Sequence, residues 1–156
     1  MSTVQTSAPR GWLVVATVLG AAHAGISLLW LLGSTWLLDT VGEPFVSWGT
    51  DRGAGVLAAL AAVVVAKLVV VALVAVAVLH GRFRRPAALA TGALLVYGAL
   101  MTVGNAAVAL DLISPSDSAD LRAIRWHAAL WDPWFALWGA AGLLALRATR
   151  RSRTTT

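Results

Sequence analysis

The sequence contains no cysteine. That absence excludes disulfides, thiolate nucleophiles, cysteine-ligated zinc and iron–sulfur clusters. Charge is scarce as well: 12% of the residues are Asp, Glu, Lys or Arg, where a soluble domain carries about 25%. Lys67 is the single lysine and Tyr97 the single tyrosine. Low charge, 59% hydrophobic residues and a mean hydropathy of +0.80 together exclude a soluble globular enzyme, a disordered tail, a coiled coil and a collagen. The 156 residues allow one domain. What remains is an all-α integral membrane protein.

A helix needs about 20 apolar residues to cross the hydrocarbon core of a bilayer. Four runs meet that length: about 12–33, 53–79, 87–110 and 126–146. They predict a four-helix transmembrane bundle over 11–150, with polar, disordered tails at 1–10 and 151–156. The net charge is +5, but the arginines flank the runs instead of forming a basic fold. Arg82, Arg84 and Arg85 share one loop, and Arg147, Arg150, Arg151 and Arg153 follow the last run. That pattern fits cytoplasmic flanks facing anionic lipid and gives no surface for nucleic acid. The 34–52 loop sets one arginine, Arg52, beside Asp39, Glu43 and Asp51, and the 111–125 loop sets Arg122 and Arg125 beside Asp111, Asp117 and Asp120. Both termini are therefore expected to be cytoplasmic. A second reading takes Ala22-His23-Ala24 as a signal-peptide cleavage site, although the apolar run continues past it from Ile26 to Leu32.

Lipid tails are as apolar as leucine, so small and polar residues mark the helix seams. In the first span Ala16, Gly20, His23, Ser27, Trp30 and Ser34 fall on one helical face. Ala54, Ala58, Ala62 and Ala66 form a stripe in the second. Gly98, Thr102, Asn105 and Ala109 do so in the third, and Gly139, Gly142 and Ala145 in the fourth. Each stripe is expected to face the bundle interior.

Lys67 lies near the middle of the second span, roughly 15–20 Å from either interface at about 1.5 Å per residue. A charge there costs about 2.5–3.5 kcal/mol, so Lys67 is expected either to mark a functional site with a partner or to be a neutral or paired lysine that fixes helix register. By depth the best partner is Asp132. A competing reading makes Asp132 an N-cap followed by Pro133 at the first helical position. Arg125 to Trp131 would then be a separate half-helix on the outer face. His127, Trp131, Trp134 and Trp138 share one face of an ideal helix, and Asp132 points away from it. Those rings form either an interfacial aromatic belt or a wall for a flat or cationic ligand. Seven of the eight tryptophans, Trp30 among them, lie toward the outer side. His23 and Asn105 are read as hydrogen-bonded interior residues that could line a ligand site. The three histidines lie at different depths, so no metal site and no cofactor are expected. Sequence signatures for serine hydrolases, phosphate loops and zinc proteases are lacking.

The stretch Trp131-Asp132-Pro133-Trp134-Phe135-Ala136-Leu137-Trp138-Gly139 resembles the W-D-P-W-F-x-L-W-G motif of an uncharacterised family of small four-span membrane proteins, common in actinobacteria. Trp30-Leu31-Leu32-Gly33-Ser34-Thr35-Trp36, followed by Leu38 and Asp39, is similar to the end of that family's first span. Where the family has a histidine three residues before the tryptophan, this chain has Ser27, with His23 one turn earlier. The resemblance implies the four-span topology and draws interest to Asp132 and the tryptophans. It implies no activity.

Two functions of different class follow. The first is an accessory or ligand-binding protein of the bacterial plasma membrane, with an outer-leaflet polar and aromatic pocket for a lipophilic molecule or a partner helix. Trp131, Trp134, Trp30, Asn105, His23 and His127 would line that pocket. The second is an intramembrane isomerase or cyclase for an isoprenoid-like substrate, with Asp132 as proton donor and Lys67 as tuner or base. Transport would require oligomerisation, since four helices leave little room for a pathway.

Overall fold

The computed structural model describes residues 7–43 and 45–154. Among them every regular element is helical: α1 (Ser7–Leu31), a 3-10 turn (Leu38–Thr40), α2 (Phe45–Asp51), α3 (Ala54–Leu79), α4 (Arg84–Ala109), α5 (Leu121–Trp126), one wide π turn (His127–Trp131) and α6 (Asp132–Thr154). The last three are continuous. Four stretches are long and apolar enough to cross a membrane: Arg10–Leu31, Ala54–Leu79, Arg84–Ala109 and Leu121–Thr149. Helix α1 starts at Ser7 and α6 reaches Thr154, so helix extends into both segments expected to be tails. Residues 1–6, 155 and 156 lie outside the described residues.

The long helices alternate in direction. α6 packs between α1 and α4, and α3 leans chiefly on α1. The α4–α6 seam depends on having no side chain at two points. A Cβ on Gly98 would strike the backbone of Asp132 and Ala136, and one on Gly139 would strike the backbone of Thr91 and Leu95. Backbones in such contact gain dispersion attraction that larger residues would forbid. The first, third and fourth small-residue stripes lie in these seams: Ala16, His23, Ser27, Gly98 and Ala145 are buried. The second does not. Ala54, Ala58, Ala62 and Ala66 are exposed, and α3 instead turns Val64, Val74, Ala77 and Val78 inward. The reason lies on α1, where a Cβ at Gly20 would meet Val71 and the Trp138 ring. A glycine on one helix leaves room for a valine on the other, so α3 needs no small residues of its own.

One end of the bundle is capped by its loops. The Arg52 guanidinium donates to the Trp30 and Leu31 carbonyls at 3.3 and 3.0 Å, closing the C-terminus of α1 with a cation where the helix dipole favours one. Asp120 starts α5 by accepting from the backbone N–H groups of Arg122 and Ala123, both at 3.0 Å. Arg122 and Asp39 pair at 2.5 Å across the two loops. At the opposite end Arg84 donates to the Leu146 carbonyl at 2.6 Å and to the Thr149 hydroxyl at 3.1 Å.

Candidate functional site

The site begins with one irregular turn. Asp132 is not an N-cap. Asp120 starts the helix, and Asp132 has ordinary helical dihedrals of −76° and −43°. Its N–H bonds to the His127 carbonyl five residues back. Pro133 gives the physical reason: it has no N–H, and its ring crowds the carbonyl four residues earlier. A single wide turn relieves that crowding without breaking the helix, so no separate half-helix forms over Arg125 to Trp131.

The same turn corrects the expected direction of Asp132. Residues five apart in an ideal α-helix are about 140° apart around the axis, whereas in a π turn they share a face. His127 Nδ1 thus lies 3.1 Å from Asp132 Oδ1. The other carboxylate oxygen accepts from Asn105 Nδ2 at 2.7 Å. The Asp132 side chain is 1% exposed and that of His127 30% exposed. Donation from Nδ1 to the carboxylate leaves His127 Nε2 as the free basic nitrogen. The trio lines a cavity of about 340 Å³, together with Glu43, Tyr97 and Asp120.

Lys67 has other partners than the one expected. Its ammonium donates to Ser27 Oγ at 2.6 Å and to His23 Nδ1 at 2.9 Å. Asp132 is not among its hydrogen-bond partners. The Phe135 ring lies 6.0 Å from Nζ, within cation–π reach. Since Nδ1 of His23 accepts, its proton sits on Nε2, which is buried with no hydrogen-bond partner among the described residues. Rings enclose it: Phe135 at 4.4 Å, Trp134 at 5.4 Å, Trp131 at 5.8 Å and Trp138 at 6.5 Å between centroids.

A second cavity of about 310 Å³ opens above this cluster. Its walls include Trp30, Phe45, Trp48, Leu60, Val63, Trp131 and Phe135, and Lys67, His23 and Ser27 belong to its lining. Trp30 and Trp131 meet edge to face at 5.7 Å. Their indole N–H groups are fixed elsewhere, Trp30 on the Trp36 carbonyl at 2.8 Å and Trp131 on the Thr40 hydroxyl at 3.0 Å. The rings therefore present apolar edges and faces to the cavity. His127 and Tyr97 line both cavities, so they stand in the wall between the lysine side and the aspartate side.

Of the residues expected to line a site, His23, Lys67, Trp30, Trp131 and His127 border the apolar cavity, and Asn105, Asp132 and His127 border the polar one. Trp134 lines neither; its N–H bonds to the Leu19 carbonyl at 3.0 Å and its ring packs on His23. Ser27, Phe135 and Tyr97 are the additions. Ser27 was open to discovery, since it sits one turn after His23 on the same polar stripe. Among the described residues no group of three His, Asp or Glu is placed to hold a metal ion.

Chemically, the lysine side can bind a hydrogen-bond acceptor or an anion, and the aspartate side can hold or move a proton at His127 Nε2. Residues 11–142 match the family model described as protein of unknown function (DUF3995). No curated protein and no solved structure matches the chain.

Proposed function

From the premise that this chain belongs to the DUF3995 family of proteins of unknown function, we propose that it is a multi-pass protein of the bacterial plasma membrane that binds a lipophilic molecule in its outer-leaflet half. In this reading both termini are cytoplasmic, because the arginine-rich 80–86 loop and C-terminus alternate with the acidic loops. The capped end then faces outward. The single observation that carries the binding reading is the apolar cavity itself, whose aromatic walls lead from the cap down to the only lysine. Pockets of roughly 300–1,000 Å³ with apolar walls and few polar groups are the usual form of small-molecule sites.

The test is native mass spectrometry of protein purified in mild detergent. The wild type should retain a lipophilic molecule other than bulk phospholipid. Leu60→Trp, which fills the cavity from α3, should lose it. Equal retention of bulk phospholipid alone by both proteins rejects the reading.

The His127–Asp132 contact favours a second reading, acid–base chemistry on the bound lipophile. An imidazole oriented by a buried carboxylate is a common general base, and His127 borders the apolar cavity as well. Asp132→Asn in a knockout strain separates the two. Binding alone tolerates the amide, whereas a proton-transfer role does not.

A further inference from the structure

The two cavities divide their charge. Glu43, Asp120 and Asp132 all line the polar cavity. No Asp or Glu lines the apolar one, where Lys67 stands beside two histidines. Asp132 makes no ion pair with Lys67; its two oxygens face Asn105 and His127 instead. Two of the three ammonium N–H donors go to Ser27 and His23. The third has no partner among the described residues. A half-buried ammonium at this depth, held only by neutral groups, lacks the counter-charge that such a position calls for.

We infer that the ligand supplies it: the apolar cavity takes a long-chain lipophile ending in a carboxylate, whose head pairs with Lys67. The inference rests on the lipophile-binding reading. Depth sets the class of head group. Lys67 lies 13 residues beyond Ala54, about 20 Å along the helix at 1.5 Å per residue, well inside a hydrocarbon core of about 30 Å. A phospholipid head group stays at the interface, far from this ammonium. A carboxylate is small enough to descend between Trp30, Val63 and Trp131, and its acyl body matches their surfaces. At the floor it accepts from Lys67 Nζ, and Ser27 Oγ–H is near enough to turn from the His23 carbonyl, to which it holds a long 3.5 Å contact, toward the new acceptor.

The experiment uses the full chain in lipid nanodiscs, with empty nanodiscs as blank. Tryptophan-to-ligand energy transfer measures binding of parinaric acid, a fluorescent long-chain carboxylate, and of its methyl ester. The acid should bind at least about tenfold tighter than the ester, the range expected for a desolvated charge pair. Lys67→Met should bring the acid down to the ester's affinity, and Lys67→Arg should restore much of the preference. Equal binding of acid and ester to the wild type overturns the proposal, as does a Lys67→Met protein that keeps the preference. If Lys67→Met fails to fold, the acid–ester comparison on the wild type decides alone. If neither probe enters but native mass spectrometry shows a retained lipophile, the carboxylate assignment falls and the binding reading stands. If neither probe enters and nothing is retained, both fall.

Discussion

Asp132 satisfies two neighbours at once, so its replacement separates charge from hydrogen bonding. Asp132→Ala leaves the Asn105 amide and the His127 ring without their acceptor in a buried place. The loss should be about 1–3 kcal/mol, read as a lower thermal midpoint in detergent. Asp132→Asn keeps an acceptor for one of them and should stay within about 1 kcal/mol of the wild type. Trp131→Phe tests the cap in the same way. It removes the indole N–H donated to Thr40, whose hydroxyl itself donates to the Leu37 carbonyl at 2.6 Å. The expected cost is about 0.5–1.5 kcal/mol, with faster hydrogen exchange in the 37–43 segment. At this scale the individual polar residues were legible. Lys67, Asp132, His23 and Asn105 stand out because each interrupts an apolar run. Their pairing was not legible. The Lys67–Asp132 pair follows from depth alone, but depth says nothing of rotation about the helix axis. His127 meets Asp132 only because Pro133 widens one turn, and a 3.6-residue period cannot express that.

Helices α4 and α6 touch through glycines, and this makes a sharp prediction about size. Gly98→Ala places a methyl group against the backbone of α6, which has no side chain to move aside. The helices must separate, at a cost of about 1–3 kcal/mol or more, and the variant should lose its sharp size-exclusion peak at a lower temperature than the wild type. Gly104→Ala, on the same helix with nothing within 4 Å of the added Cβ, is the control and should be neutral or slightly stabilising by helix propensity. The four long helices were legible as four apolar runs, and three of the four packing faces were legible as stripes of small residues. The alanines of α3 misled because a small-residue stripe reports where a close approach is possible, not where one occurs. The approach between α1 and α3 is set by Gly20, and α3 answers it with Val71. In the sequence Arg52 is one basic charge in an acidic loop. Its capping role at Trp30 and Leu31 depends on a fold of the intervening loop that periodicity does not describe.

The whole molecule carries its polarity in its two ends, and a cysteine-free chain offers a clean way to read it. Ser116→Cys lies in the acidic loop after α4, and Arg82→Cys lies in the arginine-rich loop before it. With a membrane-impermeant maleimide, Ser116→Cys should be labelled in intact cells and Arg82→Cys only after permeabilisation. The reverse pattern would invert the proposed orientation, and equal labelling of both in intact cells would reject it. The pairing of buried polar groups also has a direction along the chain. His23 and Ser27 belong to the first long helix, and Lys67 to the second. Asn105 belongs to the third, and Asp132 to the fourth. A ribosome working from the N-terminus therefore makes each neutral partner before the charged residue that needs it. If the helices enter the proposed membrane in chain order, Lys67 arrives with its acceptors already made, and Asp132 follows the Asn105 amide. Moving Lys67 to a later helix while keeping the same final contacts would leave the finished bundle unchanged on paper and its assembly without that order.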